Sequence, residues 1–458
     1  MNEQIAALSG TYPAAAELLE RHGDETLLAY LQQVRHRPLP DILPTEDLLE
    51  EVRDYASAFF GAETAGECAE VLRRRRCMTT ANHHHPAFEY MTVQDTILYD
   101  QWLRLQGETG EVVPVVACAN LSLTSTLYPR GMVVYDCTLP EGRLRLPLYS
   151  WKLRRPCVAA IGGIVPEMVD NVLKRLPQEV RQGSITARMG DTLERFCREV
   201  LLSEEVQRYD TLREQTTVIN DMISQRYFTD RRPRYIWMPM ETITARLLAR
   251  DLRREGGILH QMLFREGLRT ALLRELDGVA GCWEGNTGGT HFFWGLDSRG
   301  IRFPLRLWEE AGKTVLAGCS SLGEDVRVPF TPRALAEGMR EQTLLPGMFL
   351  CFLEMHFLRD MTVFGGYYQP TYLGQMRRGI VRALRVPGMF EGEAEIIESK
   401  ANYMTLGLIY LRRGSETGGY PVSTAELLEA PVSAAGVEER LRMPVSAALE
   451  TLCRTVGK

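Results

Sequence analysis

Apolar positions along the chain occur in short runs separated by stretches of helical periodicity, a pattern typical of α/β proteins. The first series begins at Cys77, passes through a polar turn and a helical pattern over Phe88–Leu105, and reaches the apolar run Val112–Cys118. This order predicts a strand, a turn, a helix and a second strand. Ligands of open α/β sheets bind beside such turns, at the carboxyl ends of strands. The turn after Cys77 is therefore the first candidate for a small-molecule site.

A second series of apolar runs predicts the other half of the core. Tyr235–Met240 has the composition of a strand, and helical spacing follows over Thr242–Arg253. Further along, Asp297–Gly300 predicts the turn of a hairpin, and the strand candidate Thr362–Phe364 runs into two glycines. Between the two series, residues 190–228 keep a roughly helical phase, which predicts an inserted helical arm.

These patterns divide the chain into five parts. We expect a helical N-terminal cap over 1–66, a first α/β half of the core over 67–180, a helical insertion over 181–230, a second α/β half over 231–420, and short C-terminal helices over 421–458. In the last part the triplet Pro-Val-Ser occurs three times, and its serines are predicted to cap short helices: Ser423, Ser433 and Ser446.

Composition and charge narrow the class of protein. The chain has 458 residues with 45% apolar positions, and its net charge of −6 gives no general attraction to nucleic acid or to anionic membranes. The most apolar run, Pro346–Leu358, is too short to span a bilayer. The ten cysteines are scattered, and the N-terminus has no secretory pattern, so we expect a cytoplasmic protein without disulfides.

The polar turn after Cys77 contains His83, His84 and His85, three of the eight histidines of the chain. Histidine titrates near neutral pH, so these three are the candidate general acids or bases, and Asn82 would orient the substrate or stabilise charge. Consecutive side chains of a strand point to opposite faces, and no paired cysteines accompany the triplet, so we expect no metal. A metal site and a solvated loop remain the alternatives.

The second candidate segment follows the later strand. Gly365 and Gly366 would allow the backbone to approach a ligand closely. Gln369 and Tyr372 supply neutral hydrogen-bonding groups suited to orienting a substrate, and Thr80 has the same capacity in the first turn. Because both turns follow strand candidates, we expect them to face one cleft.

The order of these motifs resembles that of the bacillithiol synthase family, whose enzymes add cysteine to a glucosaminyl-malate precursor. Thr80-Ala81-Asn82-His83 stands where the family has Thr-Gly-Gln-Gln, and Val113-Pro114-Val115 follows it. Leu344-Leu345-Pro346 then precedes the two glycines, with Gln369 in place of the family's acidic residue. The resemblance implies a Rossmann-like core with a helical insertion.

These observations favour a biosynthetic ligase or transferase that joins or transfers a small polar molecule, for example an amino acid, onto a small-molecule acceptor. Two alternatives stay open. One is a nucleotidyltransferase-like enzyme, although the His-x-x-His spacing of that class is missing. The other is a ligand-binding or scaffold protein without catalysis. The sequence identifies no cofactor, and it leaves open whether the chain forms a homo-oligomer.

Two charged or titratable residues interrupt the apolar run Met348–Phe357. Glu354 and His356 need partners if they are buried, and we expect them to hold the core in register. The competing interpretation places them in the cleft. Leu350, Leu353 and Phe357 repeat at helical spacing, so we expect a helix in which the two side chains diverge.

Overall fold

A five-stranded parallel sheet forms the centre of the molecule. The computed structural model describes residues 2–123, 130–285, 288–386, 389–400, 404–414, 419–450 and 452. The strands of the sheet, in chain order, are β1 (Cys77–Thr79), β2 (Val112–Ala117), β3 (Arg234–Pro239), β4 (Thr362–Gly365) and β5 (Met404–Thr405). Their order across the sheet is β3-β2-β1-β4-β5, and every neighbouring pair is parallel.

β1 is the central strand, and the chain adds further strands on both sides of it. It first adds β2 and β3 on one side, and it returns much later to add β4 and β5 on the other. Thr79 pairs with Val115 of β2 and with Phe364 of β4, so the carboxyl ends of these three strands lie at one edge. A crevice forms at that edge because the connections after β1 and β4 run to opposite sides.

The sheet has an apolar core on each face, as expected for a parallel sheet. Val115 and Ala117 of β2 face one core together with Trp237 of β3, whereas Val116 and Met238 face the other. Successive side chains of a strand point to opposite faces, which is why both apolar layers are supplied by continuous runs. The α/β class expected from the sequence is confirmed.

Helices surround this sheet. Those of the N-terminal part and the insertion are Asn2–Ser9, Pro13–His22, Leu27–Gln33, Thr45–Arg75, Pro166–Arg181, Ala187–Phe196, Glu204–Gln207 and Leu212–Ser224, with a π-helical turn at Cys197–Leu201 and a 3-10 turn at Trp151–Leu153. The fourth continues past its predicted end near Phe60, with a break at Gly61 where φ is 79°.

The helices of the core and the C-terminal part are Tyr90–Leu105, Met240–Asp251, Ile258–Phe264, Glu266–Glu275, Pro332–Arg340, Met348–Phe352, Gln369–Arg385, Glu391–Ser399, Thr424–Glu429, Ala434–Arg440 and Val445–Ala448, with a π-helical turn at Leu353–Phe357. Ser423 and Ser433 cap their helices as predicted. The prediction is wrong for Ser446, because that helix begins one residue earlier and Pro444 precedes it. Residues 453–458 lie outside the described part of the chain.

Several short strands lie outside the central sheet, in small antiparallel units. These are Gly131–Val134 with Leu144–Pro147; Phe293–Leu296 with Arg302–Pro304 and Leu344–Pro346; Arg306–Glu310 with Lys313–Cys319 and Asp325–Pro329; Trp283–Glu284 with Gly288–Gly289; and Arg412–Arg413 with Tyr420–Pro421. The hairpin around Asp297–Gly300 is confirmed, since Leu296 pairs with Arg302. None of the helices in the described ranges has both the length and the apolar character needed to cross a bilayer.

Candidate functional site

The turns that follow β1 and β4 line one cavity of about 520 Å³ at the carboxyl edge of the sheet. Thr80, Asn82 and His83 come from the first turn, and Gly366 and Gln369 come from the second. The prediction that both turns face one cleft is therefore confirmed. Tyr372 also lines the cavity, and Gly365 ends β4 beside it.

A hydrogen-bond chain holds the two turns together. The side-chain amide of Gln369 donates to the Thr80 hydroxyl at 2.7 Å, and that hydroxyl donates to the Phe364 carbonyl at 3.2 Å. Gly365 has no side chain, which leaves room for Gln369 to fold back over β4; a Cβ at position 365 would overlap the Gln369 side chain. The first glycine thus positions Gln369, whereas Gly366 faces open space.

Asn82 presents a buried oxygen without a partner. Its side chain is 2% exposed, and its amide nitrogen donates to the Thr96 hydroxyl at 2.7 Å. The other end of the amide, Oδ1, has no hydrogen-bond partner among the described residues. Leaving a buried acceptor unpaired costs about 1–3 kcal/mol, so a donor on a bound molecule would recover that free energy.

The three histidines of the triplet separate. His83 lines the cavity, and its Nδ1 has no hydrogen-bond partner in the described ranges. Burial lowers its pKa to about 4, so its imidazole is neutral at pH 7. A neutral ring nitrogen either donates or accepts a hydrogen bond, depending on the tautomer.

His84 and His85 do not line the cavity, and the structure corrects their predicted place beside the substrate. The Nε2 of His84 lies 2.8 Å from the Arg213 carbonyl, and the Nδ1 of His85 lies 2.9 Å from the Pro86 carbonyl. Both side chains are fully buried. His83 forms a bridge with Cys118, and the backbone then bends at His84 and His85, so the three side chains have different surroundings. Of the three candidates, only His83 lines the cavity.

Asp95 is a site residue that the sequence analysis missed. It lies in the Tyr90–Leu105 helix, it is 3% exposed, and it lines the cavity. Burial, with a smaller contribution from Glu89, raises the pKa of its carboxyl well above the usual range. Its Oδ1 has no hydrogen-bond partner within the described part of the chain. The sequence signal was a carboxylate placed among the apolar positions Val93, Ile97 and Leu98 of one helix.

Aromatic side chains form much of the cavity wall, and one of them comes from the N-terminal cap. Tyr12 lies in the loop between the first two helices and packs edge-on against Tyr367, with ring centroids 4.8 Å apart. Tyr368, Tyr372 and Phe352 complete the aromatic lining. Among the described residues that line the cavity, none is lysine or arginine. No sequence pattern links Tyr12 to the strand ends.

Comparisons with known proteins found no match: no family model, no curated protein and no solved structure matches the chain. Within the described ranges, no group of three or more His, Cys, Asp or Glu side chains is arranged to hold a metal ion. The chemistry of the ligand is therefore inferred from the cavity alone. The cavity has two unpaired buried oxygens, a neutral histidine, a hydrogen-bonded glutamine and an aromatic wall.

Proposed function

We propose that the central sheet is a Rossmann-like core and that its crevice binds a small molecule. The strand order β3-β2-β1-β4-β5, with a reversal between β1 and β4, supports this proposal. Ligands of doubly wound sheets bind where the strand order reverses. The cavity lies at this reversal, because its two turns follow β1 and β4.

We further propose a biosynthetic ligase or transferase that joins or transfers a small polar molecule carrying an amine, such as an amino acid. The single observation that supports this best is the pair of buried, unpaired oxygens of Asn82 and Asp95. Both can accept hydrogen bonds, and no cationic side chain of the described lining competes for them. An ammonium group has three donors and is attracted to aromatic faces such as that of Tyr12.

The proposed roles follow from these positions. Ionised Asp95 balances the charge of the ammonium group and accepts a proton from it when the amine becomes a nucleophile. Its raised pKa suits that task better than the pKa of about 4 of His83. His83 and Asn82 then hydrogen-bond the ligand, and Gln369 fixes the second turn. The acid/base role therefore belongs to Asp95 in this proposal, and not to the histidine triplet.

A binding protein without catalysis is the second candidate. The low pKa of His83 favours it, because a histidine with a pKa of about 4 is a weak base at neutral pH. Nucleotidyl transfer in this cavity receives no support, since none of the described lining residues is a lysine or arginine that could neutralise phosphate.

The test is a product assay with matched variants. The purified chain is incubated with isotope-labelled amino acids and a small-molecule extract, and labelled products are identified by mass spectrometry. We expect a new labelled product with the wild type, and its loss with Asp95→Asn. The variant Asp170→Asn, on an exposed helix face, is the matched control and keeps the product. Binding of an amino acid without any product would favour the second candidate, and neither binding nor product would reject both.

The cytoplasm is the proposed compartment. Nine cysteines of the described ranges, most of them buried, are free thiols. Buried thiols persist as thiols in a reducing compartment. Cys453 lies outside the described residues.

A further inference from the structure

A second cavity lies beside the candidate site and has the opposite charge character. It is a groove of about 980 Å³ between the Met240–Asp251 helix and the Pro332–Arg340 helix. Five arginines are among its lining residues: Arg213, Arg246, Arg253, Arg333 and Arg340. We call this the arginine groove. Its volume is in the range of small-molecule sites.

Three of these arginines form no salt bridge with any residue that the structure describes. Arg246 approaches Glu51 at 3.7 Å, and Arg340 approaches Glu341 at 3.1 Å. In contrast, the salt bridges of the described residues include none for Arg213, Arg253 or Arg333. The guanidinium groups of these three remain available to a ligand, and the planar guanidinium matches carboxylate and phosphate oxygens in a bidentate arrangement.

The acidic residues of the groove neutralise only part of the positive charge of its arginines. Glu337 pairs with Arg340 at 3.6 Å. Glu241 is 2% exposed and accepts hydrogen bonds from the backbone amides of Ala119 and Asn120, at 2.8 and 2.9 Å. Burial also raises its pKa, which disfavours its negative charge. Glu255 also lines the groove, so the lining contains five arginines and three glutamates and has an excess of positive charge.

The floor of the groove is aliphatic. Ala245 and Ala249 are small residues of the Met240–Asp251 helix, and Leu252, Leu344 and Leu345 surround them. No aromatic side chain is among the described residues that line the groove. A ligand with an aliphatic body and an anionic end would match both the floor and the arginines, whereas a flat aromatic ring would find no stacking partner there.

One residue pair separates the groove from the candidate site. Glu241 lines the groove, and Cys118 lines the candidate site. The Cys118 thiol donates to Glu241 at 3.2 Å, so the two cavities approach each other across this contact. Glu241 lies in the first turn of the Met240–Asp251 helix, directly after β3, whereas Arg253 follows the last turn of that helix.

We propose that the arginine groove binds a small organic anion, with its carboxylate or phosphate at the arginines and its aliphatic part on the alanine floor. This inference goes beyond the proposed function, because the groove lies on the other side of the Cys118–Glu241 contact from the first cavity. Arg253 and Arg333 would hold the acidic group of this anion.

The test is calorimetric titration of the full chain with two probes, adipate for a carboxylate ligand and inorganic pyrophosphate for a phosphate ligand. We expect at least one probe to bind with a Kd of about 1 mM or below, and the double variant Arg253→Gln/Arg333→Gln to weaken that binding at least about tenfold. The matched control is Arg181→Gln, an exposed arginine at the end of another helix, which keeps wild-type affinity.

The outcomes separate this inference from the proposed function. Tighter binding of adipate identifies a carboxylate ligand, and tighter binding of pyrophosphate identifies a phosphate ligand; either supports the groove. Failure of both probes to bind below about 10 mM, or equal affinity in the double variant, overturns it. Asp95→Asn should leave probe binding unchanged, because Asp95 lines the other cavity. Probe binding without product formation would count against the proposed reaction but would leave the groove as a binding site.

Discussion

At the scale of single residues, Asp95 predicts that amine binding depends on pH. Burial raises the pKa of this carboxyl, so the free protein holds it protonated to a higher pH than an exposed aspartate. An ammonium ligand binds better to the ionised form. Amine affinity should therefore increase as pH rises through the raised pKa of Asp95 and then level off. Titration calorimetry at several pH values should show this increase in the wild type. In Asp95→Asn the affinity for the amine should not change over the same pH range.

Glu89 gives a second residue-scale prediction, for stability. It caps the Tyr90–Leu105 helix, and burial raises its pKa from 4.5 to about 7. Between these values the folded state holds a proton that the unfolded state has released, so stability decreases as pH rises through this window. The decrease attributable to Glu89 should be up to about 3 kcal/mol.

Denaturant unfolding of the wild type and Glu89→Gln across this range measures that contribution. The glutamine oxygen can still accept from the amides of Met91 and Thr92, so the cap is kept while the titration is lost. The variant should lose the corresponding part of the slope. Identical slopes in both proteins would show that Glu89 does not titrate in this window.

At the scale of elements, the turn after β4 depends on one glycine. Gly365→Ala should displace Gln369 from Thr80 and lower the free energy of unfolding by about 1–3 kcal/mol, because a methyl group is forced into a filled space. Gly366→Ala is the matched control, since nothing lies within 4 Å of the added Cβ. Equal stability losses in the two variants would contradict the positioning role of Gly365.

The sequence predicted elements better than it predicted side-chain directions. Apolar runs and helical periodicity located β2, β3 and the helices Tyr90–Leu105 and Met240–Asp251, because burial of a parallel sheet leaves a strong pattern. The triplet of histidines was located correctly at a strand end, but the direction of each ring depends on backbone angles that composition does not reveal. Tyr12 was missed because its contact with Tyr367 joins segments that are far apart in the chain.

At the scale of the whole molecule, a cluster of buried charged residues lies in the core, away from the cavity. Glu354 and His356 lie in a helical turn, as expected, and neither lines the candidate site. Arg359 is fully buried and binds both Glu354 and Asp251, the latter at 2.7 Å. The cluster precedes β4, whereas the cavity follows it. We infer a structural role for Glu354, in agreement with the expectation that it holds the core in register.

Removing the buried cation should therefore affect stability and not binding. Arg359→Leu leaves the buried carboxylate of Glu354 unpaired and leaves Asp251 with Arg254 alone, so it should cost about 3–5 kcal/mol of unfolding free energy. Arg385→Leu removes an exposed ion pair with Glu398 and should lower the Tm much less. Thermal unfolding of both variants measures this difference. A loss of amine affinity in Arg359→Leu, measured below its Tm, would point instead to a link between the cluster and the cavity.

The central claim is that the turns after β1 and β4 form one site for an amine. A crystal structure of the chain soaked with a mixture of amino acids tests it most directly. We predict a ligand in the cavity whose nitrogen lies within hydrogen-bond distance, about 2.7–3.2 Å, of the unpaired oxygens of Asn82 and Asp95. A cavity that stays empty at saturating amino acid, or a ligand bound there through its carboxylate with no contact to Asp95, would contradict the account.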